Sequence, residues 1–126
     1  MPLNPQDRPG CRTAGMAAPS ANDCTIVVLP AEIDIANAGL VRADLLAAAS
    51  TGTPVIIADL SRCSFCDCAG VAALLGAAAE AVLLGAQLRL VAKAGPVLRV
   101  FELVGLTCLV PVYPTRSAAL QEIARI

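Results

Sequence analysis

The stretch SFCDCAG, residues 64–70, joins the most apolar predicted strand of this 126-residue chain to its most apolar predicted helix. Residues 55–60 before it are rich in β-branched side chains and carry one charge, which is typical of a strand buried on both faces. After it, apolar residues recur at helical spacing until Gly85, where we expect the helix to end. Asp67 is a good N-cap and three small residues follow it. The sequence therefore predicts an open helix start whose backbone amides can face a partner or an anion.

Strand and helix patterns alternate on both sides of this stretch. We expect a short strand at 24–29, resumed after Pro30 by Glu32-Ile33-Asp34 at an edge of the sheet, and a last edge strand at 109–112. Asp34 or Asn37 is expected to cap the first helix, and Thr115 the last. The apolar stripes of the first three helices are predicted to be Ala38, Val41, Leu45 and Ala48; Val71, Leu74, Leu75, Ala78 and Val82; and Val97, Val100, Phe101 and Val104. This order predicts an α/β fold with a mostly parallel four- to five-stranded sheet and about four helices.

Composition limits the domain organisation and the kinds of partner. Residues 1–22 are rich in Pro, Gly, Ala and polar residues without periodicity, so we expect a disordered tail before a single domain at 23–126. A net charge of −1 gives no electrostatic reason for binding nucleic acid or an anionic membrane. The longest apolar window is too short to span a bilayer, and no signal-peptide pattern is present. These features predict a cytoplasmic protein.

Several short motifs, taken together, resemble the core signature of STAS domains, the anti-sigma factor antagonists of bacteria and their relatives. They are Asp59-Leu60-Ser61, Phe65, Asp67-x-x-Gly70, Glu32-Ile33-Asp34 and Gly105-Leu106. The resemblance runs over residues 25–119 and implies the STAS fold, no enzymatic activity and no cofactor. It also implies a protein partner, an anti-sigma factor that is a serine-kinase-like protein, whose capture frees a sigma factor and so regulates transcription.

The chain departs from the family pattern at the two positions after Asp67. Family members that are regulated by phosphorylation have two adjacent hydroxyl residues there, one of which the partner kinase phosphorylates; this chain has Cys68 and Ala69. The resemblance thus implies an antagonist that lacks the usual phosphate acceptor. The partner-binding residues that it implies are Asp34, Cys66, Asp67, Cys68, Ala69 and Gly70. Without the resemblance, the same spacing is also explained by an N-cap followed by small residues that allow close packing.

Three cysteines lie within six residues, at Cys63, Cys66 and Cys68. A zinc site would need a fourth ligand, and the chain has no histidine, so we expect no metal. A thioredoxin-like site would place its first cysteine at the helix start, where this chain has Asp67. A redox-sensing thiol at Cys68, paired with Cys66 or Cys63, is a further hypothesis, although small buried apolar fillers explain the cluster most simply. A Cys68–Cys108 bridge is not expected, because the two residues are predicted at opposite ends of the sheet.

The sequence is therefore compatible with three functions. The first is an anti-sigma factor antagonist without a phosphate acceptor, with cysteine oxidation as an additional means of regulation. The alternative is a STAS subunit of a lipid-transport or stress-signalling complex, and the third is a thiol oxidoreductase. The chain has no histidine and no nucleophile–base pair that would indicate another catalytic chemistry.

Overall fold

The computed structural model describes residues 11–13 and 24–124, and the side chains of residues 24–121. The strands are β1 Cys11–Thr13, β2 Cys24–Val28, β3 Glu32–Ile33, β4 Val55–Asp59, β5 Phe65–Cys66, β6 Gln87–Val91 and β7 Val112–Tyr113. The helices are α1 Ala38–Ala49, α2 Cys68–Leu83, α3 Pro96–Val104 and α4 Arg116–Ala124, with a 3-10 turn at Leu106–Cys108. None of the helices in these described residues is long and apolar enough to cross a bilayer.

Five strands form one sheet in the order β1-β2-β4-β6-β7, and every neighbouring pair is parallel. β4 lies in the centre and all five of its residues are buried, as its β-branched sequence predicts. Because parallel strands need crossover connections, α1, α2 and α3 each link one strand to the next. The α/β fold with a mostly parallel sheet and four helices is confirmed.

The two faces of the sheet are covered differently. Alternate residues such as Val27, Ile56 and Leu90 belong to the main core with α1, α2 and α3. Their neighbours Ile57 and Val91 belong to a smaller core that α4 closes through Ala119. Alternation in each strand therefore sends side chains into two cores on opposite sides.

Two arginine contacts attach α4 to its face of the sheet. Arg89 of β6 is buried, and its guanidinium donates a 3.0 Å hydrogen bond to the carbonyl of Ala119. Asp59, at the end of β4, pairs with Arg116 at the start of α4. Burial alone would raise the pKa of Asp59, but hydrogen bonds from Ser61 and the Arg116 guanidinium hold that pKa below its usual 3.8. Both contacts satisfy polar groups that burial would otherwise penalise.

The main correction to the sequence prediction concerns β3. It does not extend an edge of the five-stranded sheet; instead it pairs in parallel with β5, forming a separate two-stranded sheet. The Pro30 turn allows this, because it separates β3 from β2. The pairing matters for the candidate site, which begins at the end of both strands.

The buried face of α2 also differs from the prediction. Val82 is 67% exposed, whereas Ala73, Ala77 and Ala81 are buried beside Val71 and Leu74. In an alanine-rich helix nearly every stripe is apolar, so periodicity does not identify the face that packs. Small residues face inward because α2 packs against α1 as well as against the sheet.

The structure differs from the prediction at the last strand and in the N-terminal segment. The last strand is Val112–Tyr113 and lies at the sheet edge as expected, but residues 109–111 are outside it, since the Leu106–Cys108 turn occupies the preceding chain. Cys11–Thr13, part of the predicted tail, pairs with β2 at the other edge. The rest of the tail prediction, for residues 1–10 and 14–22, lies outside the described residues. Thr115 caps α4 as predicted, accepting a 3.1 Å hydrogen bond from the amide of Ala118.

Candidate protein-interaction site

The start of α2 is built as the sequence predicts. Asp67 has extended backbone angles and occupies the N-cap position, and its carboxylate accepts a 3.0 Å hydrogen bond from the amide of Gly70. The cap satisfies one of the amides that the first helical turn leaves without a partner. The helix therefore begins at Cys68, immediately after β5.

The pairing of β3 with β5 brings Asp34 to the same place. Ile33 is opposite Cys66 in the ladder, and the amide of Asp67 donates a 3.2 Å hydrogen bond to the carbonyl of Ile33. Since the strands are parallel, Asp34 and Asp67 leave them side by side. We call Asp34 together with residues 67–70 the α2 tip.

Asn37 fixes the loop that carries Asp34. Its side-chain oxygen accepts a 2.9 Å hydrogen bond from the amide of Asp34, and its side-chain nitrogen donates a 2.7 Å bond to the carbonyl of Glu32. The Asp34 carboxylate in turn accepts a 2.9 Å bond from the amide of Ala36. Of the two predicted caps, Asn37 occupies the N-cap position of α1, but its side chain makes no capping hydrogen bond. The side chains of Asp34 and Asn37 instead stabilise the loop before the helix.

Exposure divides the predicted binding residues into two groups. Cys68 is exposed, while Asp34, Asp67 and Ala69 are half-buried, so these four can contact another molecule. Cys66 and Gly70 are buried and can act only through the shape of the site.

Gly70 lies where no side chain fits. A Cβ atom on this residue would lie 2.5 Å from the Sγ of Cys66 and 2.8 Å from the Cγ2 of Ile33. The close approach lets the first turn of α2 rest directly on β3 and β5. Gly70 and Cys66 therefore position the tip rather than contact a partner.

The three clustered cysteines have different environments. Burial raises the pKa of Cys63, and burial together with the neighbouring Cys63, Asp67 and Cys68 raises the pKa of Cys66 to about 12. The thiol of Cys63 also donates a 3.2 Å hydrogen bond to the carbonyl of Phe65. Both thiols stay protonated at neutral pH, which opposes nucleophilic chemistry. Cys63, Cys66, Cys68 and Cys108 are free thiols, and no three potential ligand residues group as a metal site within the described residues.

We expect alkylation of the native protein to separate these thiols. With its pKa raised from 9.0 to about 12, Cys66 has a thiolate fraction about a thousand times smaller at neutral pH, and its side chain is also shielded. Iodoacetamide should therefore modify exposed Cys68 and leave Cys63 and Cys66 intact until denaturant is added. Peptide mass mapping of timed samples measures each site. Equal rates at Cys66 and Cys68 in the folded protein would contradict this assignment.

Two exposed apolar residues near the α2 tip were not predicted as binding residues from the sequence. Ile35, next to Asp34, is 83% exposed, and Phe65, which precedes Cys66, is 51% exposed. Phe65 was noted only as a motif match, and Ile35 was not noted at all. A lone isoleucine next to Asp34 was the available signal for Ile35. In the β3–β5 ladder Phe65 is opposite Glu32, so both apolar residues belong to the segments that carry Asp34 and Asp67.

This geometry defines a class of α/β domain. Its members have a parallel sheet and an exposed, capped helix start beside a short second sheet. The sequence profile of the STAS domain matches residues 16–119. The chain belongs to the STAS domain family. No protein with a curated description matches its sequence.

Solved structures with this fold include regulators and part of a transporter. An anti-sigma factor antagonist from Mycobacterium paratuberculosis is 25% identical, with 80% of this chain and 86% of that chain covered and a TM-score of 0.69. The anti-sigma factor antagonist SpoIIAA in its unphosphorylated form is 24% identical, with coverage of 83% and 91% and a TM-score of 0.67. The murine anion transporter Slc26a9 is 23% identical and has a TM-score of 0.69; 82% of this chain is covered but only 18% of the transporter. SpoIIAA of Bacillus has also been solved in a phosphorylated form.

Proposed function

We propose that this chain is an anti-sigma factor antagonist that binds a serine-kinase-like anti-sigma factor through the α2 tip and thereby frees a sigma factor. The observation that carries the proposal is the exposed start of α2, without hydroxyl groups, held beside Asp34. Family membership and antagonist neighbours that align over most of their length support the same role.

The chemistry of the tip suits a partner surface with both cationic and apolar parts. Asp34 and Asp67 are half-buried carboxylates, and neither forms an ion pair with a described residue. Ile35 and Phe65 add exposed apolar area around them. A partner can therefore gain charge-assisted hydrogen bonds at the carboxylates and bury the two apolar side chains at the same time.

Regulation at this site differs from that of a phosphorylated antagonist. Cys68 and Ala69 occupy the acceptor positions that the family resemblance implies, so the partner kinase has no hydroxyl to modify there. The complex should then persist in the presence of ATP. Of the cysteines first considered for redox control, Cys63 and Cys66 are buried, which leaves Cys68 as the accessible thiol through which oxidation would alter the tip.

Binding to the anti-sigma factor of the same organism tests the proposal by calorimetry. We expect wild-type protein to bind, and Asp34→Asn and Asp67→Asn each to weaken binding about tenfold, the order expected for one charge-assisted contact. Asparagine can still accept the turn and cap hydrogen bonds, so the fold is preserved.

Glu102→Gln is the matched control, because it also removes one carboxylate charge and should leave affinity unchanged. Glu102 is exposed on α3 and lines a surface pocket with Thr107 and Tyr113, and it is not one of the residues of the α2 tip. Absence of binding by wild-type protein would refute the function. Binding that is insensitive to both tip variants would keep the partner but move the interface elsewhere. Recovery of a transporter subunit as the sole partner would favour the alternative role.

A further inference from the structure

A groove of about 470 Å³ begins at the loop that carries Asp34. Asn37, whose side chain fixes that loop, lines the groove, which continues along α1 for about two turns. Leu40, Val41 and Asp44 follow Asn37 at helical spacing, so the four residues lie on one face of the helix. The remaining lining residues are Val28, Leu29, Pro30 and Arg62. Through Asn37, the groove is continuous with the loop that contributes Asp34 to the α2 tip.

Backbone hydrogen bonds fix the wall of the groove that does not belong to α1. Arg62 lies in a tight turn, which the amide of Cys63 closes by donating a 2.9 Å bond to the carbonyl of Leu60. The amide of Ser64 then donates a 2.7 Å bond to the carbonyl of Ala31, which ties this turn to the chain after β2. Because the backbone of this wall is already ordered, a partner that fills the groove loses little binding free energy to backbone ordering.

The groove offers apolar and charged groups together. Leu40 is 68% exposed and Val28 is 43% exposed, although both are aliphatic. Arg62 and Asp44 are exposed as well, and neither forms an ion pair with another described residue. A guanidinium presents its donors in a fork that matches a carboxylate. The groove therefore fits a partner surface on which an acidic side chain lies beside an apolar one.

The α2 tip alone is too small for a stable complex. A specific protein–protein interface buries about 800 Å² on each partner and involves about 20 to 30 residues a side, whereas the tip consists of Asp34 and residues 67–70. A partner bound at the tip must therefore also cover a neighbouring surface. Asn37 joins the groove along α1 to the tip, but the groove at the start of α3 has no lining residue in the tip or in the loop of Asp34.

We propose that the anti-sigma factor bound at the α2 tip also occupies the groove along α1, where an acidic side chain of the partner pairs with Arg62 and an apolar one packs on Leu40. This inference rests on the proposed function and adds the direction in which the interface extends. The pairing also selects the partner, because a surface with a basic side chain at that place would meet a like charge.

Calorimetry with the anti-sigma factor of the same organism tests this extension. We expect Leu40→Gln and Arg62→Gln each to weaken binding at least about fivefold, as for an interface residue that contributes measurably to affinity. Raising the salt concentration should shrink the effect of Arg62→Gln but not that of Leu40→Gln, because salt screens only the charged contact. Both side chains are exposed in the single chain, so the fold should be preserved, which circular dichroism checks.

Leu103→Gln and Arg99→Gln are the matched controls and should bind like wild type. Leu103 is 73% exposed on α3, Arg99 is an exposed residue of the same helix, and neither lines the groove. If wild-type protein binds and Asp34→Asn weakens binding, but Leu40→Gln and Arg62→Gln do not, the extension is wrong and the proposed function stands. Equal weakening by the two controls also overturns the extension. Absence of binding by wild-type protein refutes the proposed function and this inference together.

Discussion

Replacing Gly70 with alanine is expected to lower the free energy of unfolding by about 3 kcal/mol, at the upper end of overpacking effects. The added Cβ would meet the Sγ of Cys66 at 2.5 Å and the Cγ2 of Ile33 at 2.8 Å. Neither atom can retreat easily, because both residues are buried in the main core and paired with each other in the β3–β5 ladder. Urea denaturation of the variant and wild type measures the change through the midpoint at constant slope.

The neighbouring Gly76 provides the matched control in the same helix. A Cβ there would meet the guanidinium of Arg42 at 2.9 Å, which is the far end of a flexible, exposed side chain. Gly76→Ala should therefore be neutral or stabilising, since alanine favours a helix by up to about 1 kcal/mol over glycine. Equal effects of the two substitutions would show that the close approach at Gly70 is not a constraint.

A second substitution locates the strain. Cys66→Ala in the Gly70→Ala background removes the closer of the two clashes, but the one with Ile33 remains. Partial recovery of stability relative to the sum of the single changes is expected, as for residues in direct contact. The same clash should displace the first turn of α2, so Gly70→Ala should also weaken anti-sigma binding although its side chain touches no partner.

Installing serine at both acceptor positions is expected to make the chain a kinase substrate. Under the proposed function, wild-type protein should gain no phosphate at the tip on incubation with its anti-sigma factor and ATP, whereas Cys68→Ser/Ala69→Ser should gain nearly one per chain. The exposed Cys68 and half-buried Ala69 lie in the first turn of α2, where serine is compatible with the helix. Intact-protein mass spectrometry and peptide mapping measure the outcome.

The single variants Cys68→Ser and Ala69→Ser identify which position the kinase uses. Ser64, an exposed hydroxyl three residues before Asp67, is the internal control and should remain unmodified in every variant. Phosphate added at the tip, about two negative charges near Asp34 and Asp67, should weaken the complex by repulsion. Stoichiometric phosphorylation of wild-type protein at the nearby Ser61 or Ser64 would contradict the proposed loss of this control.

Elements with local signals are predictable from the residues that form them. β4 is read from a β-branched run, and the start of α2 from Asp67 and the small residues after it. The ends of α2 and α3 follow from Gly85 and Gly105, which have the positive φ angles that glycine tolerates. The absence of hydroxyl groups at positions 68 and 69 is likewise a property of the sequence alone. Each feature depends on the chemistry of a few adjacent residues, so neighbouring sequence is sufficient to predict it.

Which of these features meet in the folded chain is not predictable from neighbouring residues. No local pattern specifies that β3 pairs with β5, yet this pairing puts Asp34 beside Asp67. Nor does an alanine-rich helix indicate which of its apolar faces is buried, so the exposure of Val82 and the burial of Ala73, Ala77 and Ala81 were not predictable from periodicity. Strand pairing and helix packing are contacts between distant parts of the chain, and their free energies depend on the shape of surfaces that exist only after folding.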